Sequence, residues 1–404
     1  MKTSLIGYQE AIQLILSNIT PLKSETVSLT EYDDRVIAGN LNALVNSPSV
    51  NASMKDGYAI RSSDIAHATS ENPVQLKING MATAGNQCKQ SVKTGTAVRI
   101  LTGAKIPKGA NAVVAEEFTA SSKDVVTVKK HSEPGRNILP KGCDAAFNDR
   151  ICSRGERLSP GKMGYLAASG HNKIPVLKKP DIAIIATGDE MVTPGCPLPE
   201  GKLFASNLIT LNAWCRRYGM KTSMEIVKDK PEAILKTLKQ AVKTHDTILT
   251  SGGAWTGDRD FVVKILQRLG WKQIFHRVRI GPGKAVGFGL LNEKPIFVLP
   301  GGPPSNLLAF LQIALPGILK LGGYSSTTLP KIQVKLEDTI INQDIEWTQF
   351  IFGIFKKGNG HTHFRPIKLK SRLQTIAKAE GILILPEGTI KIPVGSIVPV
   401  QLLI

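Results

Sequence analysis

Along the middle of the chain, short apolar runs alternate with longer segments of helical period, and three of the runs end in the same way. "DIAIIATGDE" (181–190), "DTILTSGGAWTGD" (246–258) and "PIFVLPGGPPSN" (295–306) each proceed through apolar residues, reach glycine or proline, and open into a polar turn. The segments that follow repeat their apolar positions every three or four residues: "SNLITLNAWCRRYG" from Ser206, "PEAILKTLKQAVKT" from Pro231, "DRDFVVKILQRLG" from Asp258 and "SNLLAFLQIALPGILKLGG" from Ser305. Pro231 suits a first helical position, and Gly219 and Gly270 suit the left-handed residue that follows a helix. Buried apolar strands alternating with amphipathic helices predict an open, doubly wound parallel sheet with helices on both faces.

The flanks read differently. Residues 22–175 hold shorter β-like runs such as "TAVRIL" and "NAVVAEEFT" between Gly, Pro, Ser and Asn, which predicts one or two small β-rich units. Beyond Pro330, "PKIQVKLEDTII", "QFIFGIFKK" and "GSIVPVQLLI" predict the strands of a closing β domain. At the start, "MKTSLIGYQEAIQLIL" has an apolar segment broken by Gln9 and Glu10 with no small-residue cleavage site after it, so it reads as an amphipathic helix. The fold class expected is therefore α/β and multidomain.

Composition narrows the partners. No uninterrupted apolar run approaches the ~20 residues that span a bilayer, so no membrane partner is expected. Five scattered cysteines without a CxxC pair fit a reducing, cytoplasmic setting better than a disulfide framework or a zinc site. The formal charge of +19 asks for an anionic partner. The basic excess is spread along the chain, aromatic residues are 5%, and no recognition helix or RNA-binding signature is present, so nucleic acid is not expected. A small polyanionic substrate, or simply a basic surface, fits better.

In an open sheet of this kind ligands bind beyond the carboxyl ends of the strands. The three Gly-rich turns would share that edge, with Gly252 and Gly253 letting the backbone approach an anion closely. Any one of these turns is more simply strand-to-helix punctuation. Together they point to a site, with Glu190 and Asp260 as carboxylates presented at its edge. His361 and His363 in "GNGHTHF" could form a metal pair, but a loop between barrel strands is the simpler reading.

Seven stretches then bear a resemblance in matching order: "SMKDGYAIR" (53–61), "VRILTGAKIPKGANAVVAEE" (98–117), "GRNILPKGCD" (135–144), "ATGDE" (186–190), "SGGAWTGDRD" (251–260), "GPGKAVGFG" (281–289) and "LPGGPPS" (299–305). Over essentially its full length the chain resembles the molybdopterin molybdenumtransferase family, represented by MoeA and the C-terminal domain of gephyrin. The resemblance implies an elongated subunit with an N-terminal helix (1–21) packed on the sheet domain, a linking domain (22–46 and 145–177) and a small β domain (47–144). A molybdopterin-binding α/β domain (178–325) and a C-terminal β barrel (326–404) complete it. It also implies a homodimer whose cleft lies between the sheet domain of one subunit and the small β domain of the other.

The chemistry implied is the last step of molybdenum cofactor synthesis: molybdenum from molybdate enters adenylylated molybdopterin, AMP is released, and Mg²⁺ assists. Residues matching the family's catalytic motifs are Asp56, Thr102, Asp144, Glu190, Asp229 and Asp260; the five carboxylates among them are hard oxygen donors suited to Mg²⁺. Gly188, Ser251, Gly252, Gly253, Pro282, Gly283, Lys284, Pro300, Gly301 and Ser305 would hold the pterin phosphate and the adenylate, with Arg99 and Lys105 as weaker candidates. Each has a plainer reading, Asp56 as part of a "KDGY" turn and Lys284 as one more surface lysine among them.

The chain departs from the family pattern at Asn51, Ala52, Met54 and Lys55 before Asp56, and at Ala205, Gly281, Ala285, Gly302 and Pro304. A Ser-rich C-terminal signature is replaced by "SRLQTIAKAEG". These changes leave room for a non-catalytic cofactor carrier or a gephyrin-like dimeric scaffold beside the transferase, and for tungsten in place of molybdenum. The implied partners are small anions, a second copy of the chain, the adenylylating enzyme and acceptor molybdoenzymes.

Overall fold

The computed structural model describes residues 5–31, 34–86, 89–253, 261–358 and 360–403. Its centre is a six-stranded sheet ordered Lys221–Val227, Asp181–Thr187, Thr247–Ser251, Lys294–Leu299, Gly287–Leu291, Lys272–His276. The first four strands are parallel, Gly287–Leu291 runs antiparallel to them, and Lys272–His276 pairs antiparallel with Gly287–Leu291. The expectation of a wholly parallel sheet thus gives way at one edge. There Asn292 (φ 50°) and Glu293 (φ 61°) link two strands in a tight hairpin, the left-handed pair that a two-residue turn requires. The usual Asn-Gly signal is absent, so the hairpin was not legible.

Continuous apolar runs form the inner strands because both sheet faces are covered. Ile182, Ile184 and Ala186 point into one core, with Leu208 and Leu211 of helix Ser206–Arg217 and Ala11 and Ile15 of helix Tyr8–Asn18. Ala183 and Ile185 point into the other, with Leu238 of helix Pro231–Thr244 and Ile265 of helix Phe261–Arg268. Gly219 (φ 63°) and Gly270 (φ 89°) take the left-handed conformation expected of them after these helices.

The helix running from Pro303 to Leu321 is 19 residues long with mean hydropathy 1.3, enough by length and composition to cross a membrane, but 83% of it is buried inside the protein. It is the core helix of the sheet unit. A Cβ on its Gly317 would lie 2.6 Å from Phe297 Cζ and 2.9 Å from Ile15 Cγ2. Only glycine therefore lets this helix meet the sheet and the N-terminal helix together.

Upstream, Gly57–Ile60, Val74–Ala82, Thr96–Ile100, Ala112–Ala115, Thr119–Ser122 and Val125–Val128 form a six-stranded half-barrel sheet. The flanking segments pair with each other, Ser24–Ser28 with Lys173–Leu177 and Leu41–Asn42 with Arg150–Cys152, over a core that includes Ile37, Leu166 and Ile174. Downstream, Lys331–Leu336, Thr348–Lys357, Thr362–Pro366, Gly381–Leu385 and Ile397–Leu402 close into a five-stranded barrel around Phe364 and Val400. Closure removes the sheet edges. His363 lies in the strand Thr362–Pro366, not in a connecting loop. The barrel is tied to the sheet unit where Ile280–Gly281 pairs in parallel with Thr348–Gln349.

Candidate functional site

The ends of the strands Asp181–Thr187, Thr247–Ser251 and Lys294–Leu299 meet at one edge, and a hydrogen-bonded frame holds them there. The buried Ser251 hydroxyl accepts from Asn207 Nδ2 at 3.2 Å and Asn306 Nδ2 at 3.1 Å. The same amides donate to Gly301 O at 2.8 Å and Pro300 O at 2.9 Å. Gly252 N donates to Leu299 O at 3.1 Å. Gly252 (φ 95°) and Gly253 (φ 64°) occupy the left-handed region, and a Cβ on Gly252 would sit 2.8 Å from Thr187 O. Their lack of side chains is thus a demand of the turn itself.

Above this frame opens a cleft of about 770 Å³, large enough for a nucleotide-sized ligand. Glu190, Ser251, Gly252 and Gly301 are the sequence-predicted residues that line it. Apolar walls come from Met191, Leu198, Leu203 and Phe204, and a further wall from Ser371, Arg372 and Leu373 of the C-terminal segment. Glu190 is exposed, and its Oε2 stands 2.6 Å from where a Cβ at Gly188 would be. Gly188 thereby lets the carboxylate fold back over the strand end. Gly188 N donates to Val227 O at 3.2 Å, and Asp229 N to Asp189 Oδ1 at 3.3 Å. Glu190 and Asp229 are consequently held at neighbouring strand ends. Asp260 lies outside the described residues.

Pro282, Gly283 and Lys284 form a separate turn against the start of the long helix. A Cβ on Gly283 (φ 119°) would be 3.3 Å from Ser305 O. Lys284 Nζ sits 5.9 Å from the centre of the Trp347 ring, and neither it nor Ser305 is among the described residues that line the cleft.

Asp56, Thr102 and Asp144 sit in the upstream β-rich part, on segments distinct from those that line the cleft. Thr102 donates both its N–H and its hydroxyl to Asp56 Oδ1, each at 2.7 Å. These two bonds, with a smaller contribution from Arg99, hold the Asp56 carboxyl below the ordinary carboxylate range. Because the folded value is depressed, the contribution to stability is complete above the unfolded value and is lost as pH falls through the folded one. Thr102→Val is expected to raise the Asp56 pKa towards its ordinary value, read by carbon NMR titration of the carboxyl; an unaltered titration would remove the hydroxyl from this account. Arg99 is already paired with Glu116 at 3.5 Å.

Asp144 is exposed, fixed by its N–H to Ser47 O at 3.0 Å and by Tyr165, whose hydroxyl donates to Asp144 O at 2.9 Å. Among the described residues, no three His, Cys, Asp or Glu side chains gather closely enough to hold a metal ion. Within one chain the described predicted carboxylates fall into two groups, Glu190 and Asp229 at the sheet edge and Asp56 and Asp144 on the upstream segments.

Sequence reasoning missed Asn207 and Asn306, the amides that brace Ser251, and Arg372 on the cleft wall. Asn207 follows the serine that starts its helix and Asn306 lies in the first turn of the long helix, both at the ligand edge, which was a usable signal. Arg372 offered none, because only the tertiary fold brings residue 372 to this edge.

An open sheet with a ligand cleft at its carboxyl edge, set between a half-barrel sheet and a closed barrel, defines a multidomain α/β protein built to hold a small ligand. The model described as the MoeA N-terminal region (domain I and II) matches residues 6–170, and that described as a probable molybdopterin binding domain matches residues 183–320. The chain belongs to the molybdopterin molybdenumtransferase (MoeA) family, whose members serve molybdenum cofactor biosynthesis. It is 29% identical to a Staphylococcus epidermidis protein named molybdopterin molybdenumtransferase, over 99% of this chain and 96% of that one. It is also 29% identical to the Staphylococcus aureus protein of that name, over 96% and 88%. The crystal structure of the molybdopterin biosynthesis moeA protein from Pyrococcus horikoshii OT3 superposes with TM-score 0.84 at 29% identity, covering 99% of this chain and 100% of that one.

Proposed function

We propose that the protein is a cytoplasmic, homodimeric transferase that places molybdenum from molybdate on adenylylated molybdopterin and releases AMP. The observation that carries this reading is the cleft itself: an amide-rich turn at Ser251–Gly252, the exposed Glu190 carboxylate and apolar walls for flat rings, in a chain whose relatives bear the transferase name. The turn's lack of side chains lets anionic oxygens approach the backbone closely. Leu203 and Phe204 exclude water from the ring systems and orient them along the sheet edge. Glu190 exchanges protons with the molybdate oxygens as they leave.

A Mg²⁺ ion commonly takes one or two carboxylates and fills its remaining positions with water and substrate phosphate. Glu190 and Asp229, at adjacent strand ends, fit that demand. When bound, the ion neutralises charge on the phosphoanhydride.

In this reading Asp56 and Asp144 act from a second copy of the chain, which explains why they lie apart from the cleft in one subunit. Co-expressing Asp56→Ala and Glu190→Gln subunits tests both the chemistry and the assembly. Each variant alone is expected to release AMP from adenylylated molybdopterin, molybdate and Mg²⁺ at least ~10²-fold more slowly than wild type. Mixed dimers carry one site with both residues intact, so activity should return to about a quarter of wild type, as random pairing of a two-fold dimer dictates. No recovery in verified mixed dimers would refute the shared site, and no AMP from wild type would refute the transferase.

A further inference from the structure

The described residues that line the cleft include one carboxylate, Glu190, and one cation, Arg372. Arg372 comes from the C-terminal unit rather than from the sheet. It opens the helix Arg372–Lys378, whose Ile376, one turn further on, packs with Ala379 against the main core. Both ends of the segment are fastened to the same barrel strand, Ile367 N donating to Phe352 O and Glu380 N to Gly353 O, each at 2.9 Å. It is a strap tied to the barrel and leaning on the start of the long core helix. Arg372 Nη1 lies 3.9 Å from where a Cβ on Gly302 would stand, directly beside Gly301. The side chain is exposed, and among the described residues it makes no ion pair.

We infer that Arg372 recognises the phosphate of the adenylyl group, so that the C-terminal barrel supplies one wall of the substrate site. The inference rests on the transferase reading of the cleft. A phosphoanhydride entering beside the Glu190 carboxylate meets like charge, and the Ser251–Gly252 turn carries no charge to offset it. Among the described residues that line the cleft, Arg372 is the cation placed to offset that repulsion. A guanidinium forks across two phosphate oxygens and sheds water more readily than an ammonium, so arginine suits this place better than lysine would. Lys284, which sequence reasoning favoured for the role, lies near Trp347 instead.

The test is calorimetric titration of the intact protein, Arg372→Ala and Arg372→Lys with AMP and, separately, with adenosine. Loss of a charge-assisted hydrogen bond should weaken AMP binding ~10- to 100-fold in the alanine variant and less in the lysine variant. Adenosine, which has no phosphate, should bind all three proteins alike. In turnover the alanine variant should raise KM and keep kcat, the pattern of a binding contact. Equal AMP affinity in wild type and Arg372→Ala, no AMP binding by wild type, or equal losses for AMP and adenosine would each overturn the inference. AMP release by wild type with Arg372→Ala unimpaired would leave the transferase standing without it. Arg372-dependent AMP binding without turnover would sink the transferase and keep the phosphate contact.

Discussion

Glu190→Gln is expected to keep the fold and to slow AMP release by ~10²- to 10⁴-fold, the range typical for removing a positioned acid–base group. Three features of this side chain set the expectation. It is the only carboxylate among the described residues that line the cleft. It sits in the short turn just past a strand buried on both faces, and the turn is held by Met191 N donating to Gly188 O at 3.2 Å and Leu203 N to Glu190 O at 2.8 Å. It is exposed and makes no ion pair among the described residues, so the protein spends no structural interaction on it. Glutamine keeps the size and loses both the charge and the proton-accepting capacity. Thermal unfolding of the variant should fall within a degree or two of wild type, since surface substitutions away from packing change stability by about 0.5 kcal/mol or less. AMP release at the wild-type rate would take Glu190 out of the chemistry. A large fall in melting temperature would instead show it to be structural.

The position of Glu190 was legible because three separate rules agreed on it. Ile182–Ala186 form an uninterrupted buried run, the run stops at Gly188, and ligands in open sheets lie past such stops. The same reasoning found Ser251, Gly252 and Gly301. It did not find the antiparallel pairing of Gly287–Leu291 with Lys294–Leu299, whose hairpin turns on Asn292 and Glu293 without the glycine that usually marks one. Nor did it find that Gly281 is pinned to the barrel: a Cβ there would lie 2.3 Å from Gln349 Oε1, a contact between residues 68 positions apart. Local pattern reports what a segment buries and where it breaks. Arg372, Asn207 and Asn306 acquire their roles from neighbours that are distant in sequence, and no periodicity encodes that. The grouping of Asp56 with Thr102 shows an intermediate case. The family motif brought both residues forward, but the reason they belong together, two donors from one residue on one carboxylate oxygen, is visible only in the fold.

The glycines of the ligand turns separate a requirement of the fold from a requirement of the ligand. Gly252→Ala should destabilise the protein by about 1–3 kcal/mol, because its φ of 95° is unfavourable for a residue with a side chain and the new Cβ would stand 2.8 Å from Thr187 O. Gly301 differs: a Cβ there would meet nothing closer than Gly252 Cα at 3.8 Å, an ordinary contact, and its φ is not in the left-handed region. Gly301→Ala should therefore melt within about 0.5 kcal/mol of wild type. Gly301 nonetheless faces the cleft, so the added methyl occupies the space through which a ligand reaches the backbone donors. A misplacement of about 1 Å at a reacting group can cost ~10²-fold in rate. AMP release by Gly301→Ala should fall by ~10-fold or more with stability unchanged, whereas Gly252→Ala should lose both. Chemical denaturation and the AMP assay, run on the two variants side by side, read the two effects independently. If Gly301→Ala turns over normally, the turn does not approach the ligand, and its glycine reflects only the way two strand ends pass each other. If Gly252→Ala is as stable as wild type, the backbone there is free to relax, and the turn is not the rigid cradle that anion binding by backbone amides demands.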